Sequence, residues 1–122
     1  MDATILEDLG LTNAEIKIYL ALLELGNTSA GPILEKTGLQ NSVVHRSLHS
    51  LINKGLIGFI LEGKGRTYQA SDPKNFFSYL EDKKKRFEKI LPELESKRKL
   101  SKIKKEVTTF RGKKGLNQLY ME

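Results

Sequence analysis

The segment QNSVVHRSLH, from residue 40 to residue 49, places several hydrogen-bonding side chains within a few helical turns. Asparagine and glutamine can pair with adenine through two hydrogen bonds, arginine can pair with guanine in the same way, and serine can donate or accept. Gln40, Asn41 and Ser42 begin the predicted helix, and Arg46 follows one turn later. This order is suited to base edges in the major groove of DNA. The alternative for each residue taken singly is an ordinary solvated helix face.

The remaining side chains of this helix face have less specific chemistry. Val43 could contact a thymine methyl group, whereas His45 and His49 are better suited to phosphate or water. Two histidines four residues apart could also bind a metal ion, but no third ligand is near in sequence, so we predict no metal site. The predicted DNA-binding residues of the helix are Gln40, Asn41, Ser42, Val43, His45, Arg46 and His49.

A glycine-rich basic turn follows the helix. The segment Gly63-Lys64-Gly65-Arg66 can adopt positive backbone dihedrals, and strands are predicted on either side of it, over residues 56–61 and 67–70. We expect a wing over residues 62–67, in which Lys64 and Arg66 contact phosphates or an adjacent minor groove. Because phosphate contacts dominate affinity, such binding should weaken steeply with salt. The alternative is a plain solvated hairpin turn.

The composition excludes several classes of chemistry. The chain has 122 residues and no cysteine, which rules out disulfides, thiolate zinc sites and cysteine nucleophiles. The turn GKGR lacks the spacing of a phosphate-binding loop, and the sequence contains neither a nucleophile elbow nor paired catalytic carboxylates. We therefore predict that the protein is not an enzyme and has no cofactor.

The net charge of +6 is distributed unevenly along the chain. Residues 1–62 carry four Lys or Arg and seven Asp or Glu, a net charge of −3, whereas residues 63–122 carry 17 and eight, a net charge of +9. The positive half favours a polyanionic partner, and a solvated lysine-rich helix is the alternative. The N-terminus has no basic signal region and no apolar run approaches a membrane span, so we predict a cytoplasmic protein.

Predicted helices must hold these side chains in place. Thr12 and Glu15 have the form of a capping box at the start of the second helix. Ser29 is a good N-cap for the third helix, and Gly38 supplies a left-handed turn after it. In the fourth helix, Val44, Leu48, Leu51 and Ile52 turn inward together, which leaves the polar side chains outside. The predicted helices span residues 2–9, 13–25, 30–37 and about 41–54.

A longer helix is predicted after Pro73, with apolar side chains recurring at heptad spacing. Leu80, Phe87 and Leu94 lie seven residues apart, as in a short coiled-coil seam, although Pro92 should kink the helix. We favour dimerisation through this seam; the alternative is a lone helix that covers its own domain. The predicted dimerisation residues are Phe76, Phe77, Leu80, Phe87, Ile90, Leu91 and Leu94.

The last part of the chain is predicted to be a basic linker followed by the start of another unit. Residues 97–105 are strongly basic, and residues 106–110 could form a strand. A short amphipathic helix with Leu116, Leu119 and Tyr120 could follow Gly112. A strand and one helix cannot bury enough surface to stand alone, so we expect a fragment of a longer protein or a docked vestige. The predicted divisions are 1–70, 71–105 and 106–122.

The order of these elements predicts a mainly α fold with a small β-hairpin wing, a winged helix-turn-helix followed by a long C-terminal dimerisation helix. The sequence also resembles the TrmB family of transcriptional regulators. The resemblance is carried by LGLTNAEIKIYLALLELG, LHSLINKGLI, TYQASDPKNFF and LPEL, and FRGKKGLNQLY resembles the opening of the family's regulatory domain. The blocks together are specific, whereas any one of them would also suit other winged-helix repressors.

The resemblance implies that the helix beginning at Gln40 and Asn41 contacts DNA bases, and that the wing at Lys64 and Arg66 contacts phosphates. Asn41 replaces a basic residue common in relatives, and His45 replaces a common Tyr, so the operator sequence does not follow from the family. The family's regulatory domain often binds sugars or other small metabolites, but this chain stops before those residues.

Together these observations predict a homodimeric, sequence-specific regulator that binds double-stranded DNA. Paired recognition helices would enter successive major grooves of a pseudo-palindromic site. The alternative is a winged-helix module for protein interaction without sequence-specific DNA binding, favoured by the slightly acidic first half and the coiled-coil tail. A small-molecule effector is expected only through a regulatory domain missing from this chain.

Overall fold

The computed structural model describes residues 1–109, and side chains through residue 105. The chain divides into two compact units, Met1–Asp82 and a second unit that begins at Lys83. No helix in the described part of the chain is long and apolar enough to cross a membrane. The elements are α1 Thr4–Asp8, α2 Asn13–Leu25, α3 Ala30–Thr37, α4 Asn41–Asn53, β1 Ile57–Glu62, β2 Gly65–Ala70 and α5 Asn75–Thr109.

The core of the first unit lies among α2, α3, α4 and the base of the hairpin. The fourth helix contributes Val44, Leu48 and Leu51, as its periodicity predicted, and the half-buried Ile52 packs against them. Ile18 and Leu22 of α2 are fully enclosed in the same cluster. Burial of one side of α4 therefore fixes which of its side chains face outward.

Local signals set the helix ends. The Thr12 hydroxyl accepts from the Glu15 N–H at 3.1 Å and the Glu15 carboxylate accepts from the Thr12 N–H at 2.8 Å, which confirms the predicted capping box. Gly38 has φ of 68°, the left-handed conformation predicted for the turn between α3 and α4. Ser29 occupies the N-cap position of α3, but its side chain makes no capping hydrogen bond.

The hairpin is tighter than its sequence indicated. Its strands pair in antiparallel register from Ile57 opposite Ala70 to Glu62 opposite Gly65. Only Gly63 and Lys64 remain in the turn, so the prediction that Arg66 belongs to the turn is wrong; it lies on β2 opposite Leu61. A two-residue turn suffices because Gly63 takes a positive φ of 61°.

A third segment pairs with the hairpin. The backbone N–H of Thr28 donates to the Tyr68 carbonyl at 3.0 Å, and the N–H of Tyr68 donates to the Thr28 carbonyl at 2.7 Å. This bridge attaches β2 to the chain just before α3. Since an isolated two-stranded hairpin is marginal, the bridge and the buried Ile57 and Tyr68 stabilise the wing base.

The first residues of α5 pack on the first unit. The Phe76 ring meets Tyr19 edge to face with 5.4 Å between ring centroids, and the Tyr79 hydroxyl donates to the Leu9 carbonyl at 3.0 Å. Leu80 is half-buried against the same core. These contacts explain why the first unit extends to Asp82.

The helix α5 extends further along the chain than predicted. It begins at Asn75, after a turn at Pro73, and continues through Pro92 and residues 97–105 to Thr109. Residues 97–105, predicted as a basic linker, are therefore helical, and the prediction of a strand over 106–110 is wrong for residues 106–109. No Gly or Pro occurs between Pro92 and Gly112, and Lys, Glu, Leu and Arg all favour a helix there. Residues 110–122, including the predicted amphipathic helix, lie outside the described residues.

The fold class is confirmed: helices, one two-stranded wing and a long C-terminal helix follow each other in the predicted order.

Candidate nucleic-acid interface

One side of α4 presents the predicted DNA-binding residues to solvent. The side chains at positions 44, 47, 48 and 51 are buried, and those at 41, 42, 45, 46 and 49 are exposed. We call the outward set the polar face; all of its members are exposed except Val43, which is half-buried. The polar face consists of Gln40, Asn41, Ser42, Val43, His45, Arg46 and His49.

The start of the polar face lies at the beginning of α4. Gln40 is the N-cap residue, and its side chain makes no capping hydrogen bond. Its backbone is extended, with φ of −68° and ψ of 149°, so the amide precedes the first helical turn at Asn41. Short polar side chains at this end of a helix can approach base edges with little steric hindrance.

The wing supplies two exposed cations in different settings. Lys64 lies in the turn, whereas Arg66 lies on β2 with its guanidinium carbon 4.6 Å from the centroid of the Phe59 ring. Phe59 is the cross-strand neighbour of Tyr68, and its contact with Arg66 was not predicted because an aromatic residue in a strand is typical of a core. The geometry permits both cations to contact a polyanion.

A groove of about 370 Å³ separates the polar face from the wing. Its lining includes His45 of α4 and Gly65, Arg66 and Tyr68 of β2. Ser29 and Ala30, at the start of α3, complete the lining. Among the predicted DNA-binding residues, the groove therefore brings together His45 and Arg66.

A buried ion pair holds the end of α4 against the start of α2. The Lys54 ammonium donates to the two carboxylate oxygens of Glu15 at 2.7 and 2.8 Å, and lies 3.4 Å from the Gly10 carbonyl oxygen. The Glu15 side chain is 2% exposed and that of Lys54 is 21% exposed. Charge-assisted hydrogen bonds of this kind define both distance and direction.

The protonation of Glu15 reflects this environment. Burial raises the pKa of Glu15, but hydrogen bonds from Lys54 and from the backbone of Thr12 outweigh burial and lower the pKa below its ordinary value. The carboxyl group is therefore ionised at neutral pH. Sequence analysis identified Glu15 only as a capping residue, because nothing in the local spacing indicates a partner 39 residues away.

The predicted dimerisation residues fall into two groups. Phe76 and Leu80 are half-buried against the core of the first unit, whereas Phe77 is exposed. The other four predicted residues, Phe87, Ile90, Leu91 and Leu94, are exposed in the second unit. Positions i, i+3, i+4 and i+7 share one side of a helix, so these four form a single apolar face.

No cluster of His, Asp or Glu among the described residues could hold a metal ion. Hydrogen bonding and charge are the chemistry that the polar face and the wing can supply.

Known proteins resemble this chain both in sequence and in fold. A family model described as sugar-specific transcriptional regulator TrmB matches residues 6–74. TrmBL1 of Pyrococcus furiosus, an HTH-type sugar-sensing transcriptional regulator, is 30% identical over 97 residues, covering 73% of this chain and 28% of TrmBL1. TrmBL2, an archaeal chromatin protein, has a TM-score of 0.66 at 23% identity, covering 88% of this chain and 42% of that one. A MarR-family regulator from Silicibacter pomeroyi has a TM-score of 0.52 at 16% identity, covering 87% of this chain and 77% of the regulator.

The matches bear differently on fold and on family. The two solved structures show the fold, whereas the family model covers more than half of the chain. The chain spans less than half the length of TrmBL1 and of TrmBL2. The matching family consists of transcriptional regulators, so the prediction that the protein is not an enzyme is confirmed. This chain belongs to the TrmB family of DNA-binding transcriptional regulators.

Proposed function

We propose that the first unit binds specific sequences in double-stranded DNA through the polar face of α4. The observation that carries this proposal is the exposure of Gln40, Asn41, Ser42 and Arg46 on a helix whose opposite side is fully buried. The buried side prevents the helix from rotating about its axis, and this fixed orientation is what base reading requires. Arg46 is the candidate for guanine, and the short polar groups before it are candidates for adenine.

The wing supplies affinity in this proposal. Lys64 and Arg66 are exposed and positively charged, and phosphate contacts carry most of the affinity of DNA-binding proteins. His45 and His49 serve as phosphate or water contacts. The wing would therefore strengthen binding to any duplex, whereas the polar face would select among sequences.

We further propose that the protein acts as a homodimer. The apolar face of Phe87, Ile90, Leu91 and Leu94 would pair with the same face of a second copy, as in a short coiled coil. Two recognition helices would then enter major grooves one helical turn apart on a pseudo-palindromic site. Any small-molecule effector would act through a regulatory domain outside this chain.

The test is selection of bound sequences from a random duplex pool, first for the wild type and then for Arg46→Ala. We expect a defined wild-type preference, and for Arg46→Ala a loss of about 1–3 kcal/mol on the selected site with relaxed preference at one base pair. Lys17→Ala is the matched control, because Lys17 is an exposed cation of α2 outside the polar face. An unchanged preference in Arg46→Ala would exclude the base contact. Absence of binding at low salt would instead favour the protein-interaction module.

A further inference from the structure

The arginine of the wing is held by an aromatic ring. The Arg66 guanidinium carbon lies 4.6 Å from the centroid of the Phe59 ring, well inside the range of a cation–π contact. Lys64, the other wing cation, lies in the turn beyond the strands. The two cations of the wing therefore differ in how firmly they are oriented.

The ring that supports Arg66 is itself fixed by a buried residue. Phe59 is 37% exposed and lies opposite Tyr68 in the strand register, with 6.3 Å between the ring centroids. Tyr68 is only 6% exposed, and both of its backbone polar groups are bonded to Thr28. Arg66 is two residues before Tyr68, so both side chains lie on the same side of the hairpin. Arg66, Phe59 and Tyr68 form what we call the wing stack.

The wing stack also determines where the guanidinium is available. Arg66 and Tyr68 line the groove together with His45 of α4. A guanidinium with one face on a ring keeps its edge N–H groups for another partner, and the fork of these groups matches two oxygens of a phosphate. Because Arg66 lines this groove, its N–H groups are available to a ligand that enters the space between the wing and α4.

We propose that Phe59 is a positioning residue for DNA binding, which orients Arg66 to bind one backbone phosphate beside the recognition helix. This inference rests on the proposed function of the first unit. Phe59 need not touch the nucleic acid. Its ring restricts the rotamers of Arg66 before binding, so less side-chain freedom is lost when the phosphate contact forms. Lys64 gains no such support from the ring.

The test is a double-mutant cycle on duplex DNA of mixed sequence, with Kd measured at several salt concentrations. Phe59→Leu keeps an apolar strand residue but removes the ring. We expect it to weaken binding roughly three- to fivefold in the wild-type background. In the Arg66→Ala background, Phe59→Leu should change Kd very little, because the group that the ring orients is gone.

Two further variants separate positioning from folding. Phe59→Tyr retains the ring and should retain wild-type affinity. Lys64→Ala is the matched wing control, and Phe59→Leu should weaken binding as much in that background as in the wild type. If Phe59→Leu lowers the DNA affinity equally in the wild-type and Arg66→Ala backgrounds, the ring only stabilises the hairpin. That result would overturn the inference. Unchanged Kd in Phe59→Leu would overturn it as well.

The stack can also be measured in the absence of DNA. In the free protein, the side-chain protons of Arg66 should show upfield ring-current shifts that are lost in Phe59→Leu and kept in Phe59→Tyr. If the wild type binds no duplex at low salt, the proposed function and this inference both fail. If the wild type binds duplex DNA but the double-mutant cycle shows no coupling between Phe59 and Arg66, only the proposed role of Phe59 is wrong.

Discussion

Helix α4 and the wing are held by very different means. Helix α4 buries one side in the core, and Lys54 after its last residue is paired with Glu15. The wing is attached at its base by Tyr68 and Thr28, while the residues from Ile60 to Arg66 are exposed. A rigid helix suits base contacts, which tolerate little displacement, and a more exposed hairpin suits phosphates, which recur along any duplex. Under the proposed function, specificity and affinity would thus have different structural requirements in one small domain.

The largest effect is expected when apolar atoms are removed from α4, and the same kind of substitution in the wing provides the comparison. Leu48 of α4 is 1% exposed and Ile60 of β1 is 48% exposed. Leu48→Ala should lower the free energy of unfolding by about 3 kcal/mol, because it leaves a cavity in the core. Ile60→Ala is the matched control in the wing and should cost less than about 1 kcal/mol. Urea denaturation checks both values, and similar losses would contradict the comparison.

An intermediate effect is expected from the ion pair at the end of α4. Lys54→Met leaves the buried Glu15 carboxylate without its charged partner, and should cost roughly 2 kcal/mol at pH 7. This is below the cost for a fully buried pair because water reaches Lys54. Lys17→Met, a change at an exposed cation of α2, should leave the free energy of unfolding almost unchanged.

The same variant should show a characteristic pH dependence. The folded-state pKa of Glu15 lies below its ordinary value of 4.5, so its ionisation stabilises the wild type above that pH. This contribution disappears as the pH falls through the lower, folded-state pKa. The stability difference between wild type and Lys54→Met should therefore shrink between pH 5 and pH 3, as measured by denaturant titration at each pH. A difference that does not change with pH would exclude the ion pair as its cause.

The smallest effects are expected at the wing and concern DNA affinity rather than stability. Lys64→Ala and Arg66→Ala should each reduce the slope of log K against log salt concentration by about one, with the selected sequence unchanged. Fluorescence anisotropy at several salt concentrations gives this slope. If either substitution altered the selected sequence, the assignment of specificity to α4 alone would be wrong.

Sequence analysis succeeded where a feature depends on neighbours in the chain. The capping box of Thr12 and Glu15, the left-handed Gly38 and the inward face of α4 all follow from short spacings. The outward polar face followed from the same periodicity. These signals also gave the bounds of α2, α3 and α4 to within a residue.

Features that depend on distant residues were not predictable. The pair of Glu15 and Lys54 and the bridge of Thr28 and Tyr68 join residues far apart in sequence, and no local pattern marks them. The position of Arg66 on β2 depends on strand register, which a glycine-rich turn of several possible lengths leaves open. The contact between Arg66 and Phe59 could be recognised only once the strand register was known.

The bridge between Thr28 and Tyr68 has a topological consequence. Its two backbone hydrogen bonds close a loop of chain that contains α3, α4 and β1. Helix α4 is therefore an internal part of a closed loop and not an arm with a free end. Opening of that loop would release the base of the wing and the chain entering α3 in a single event. Local opening at this bridge, unlike fraying at the tip of the hairpin, would free the base of the wing to move relative to α3.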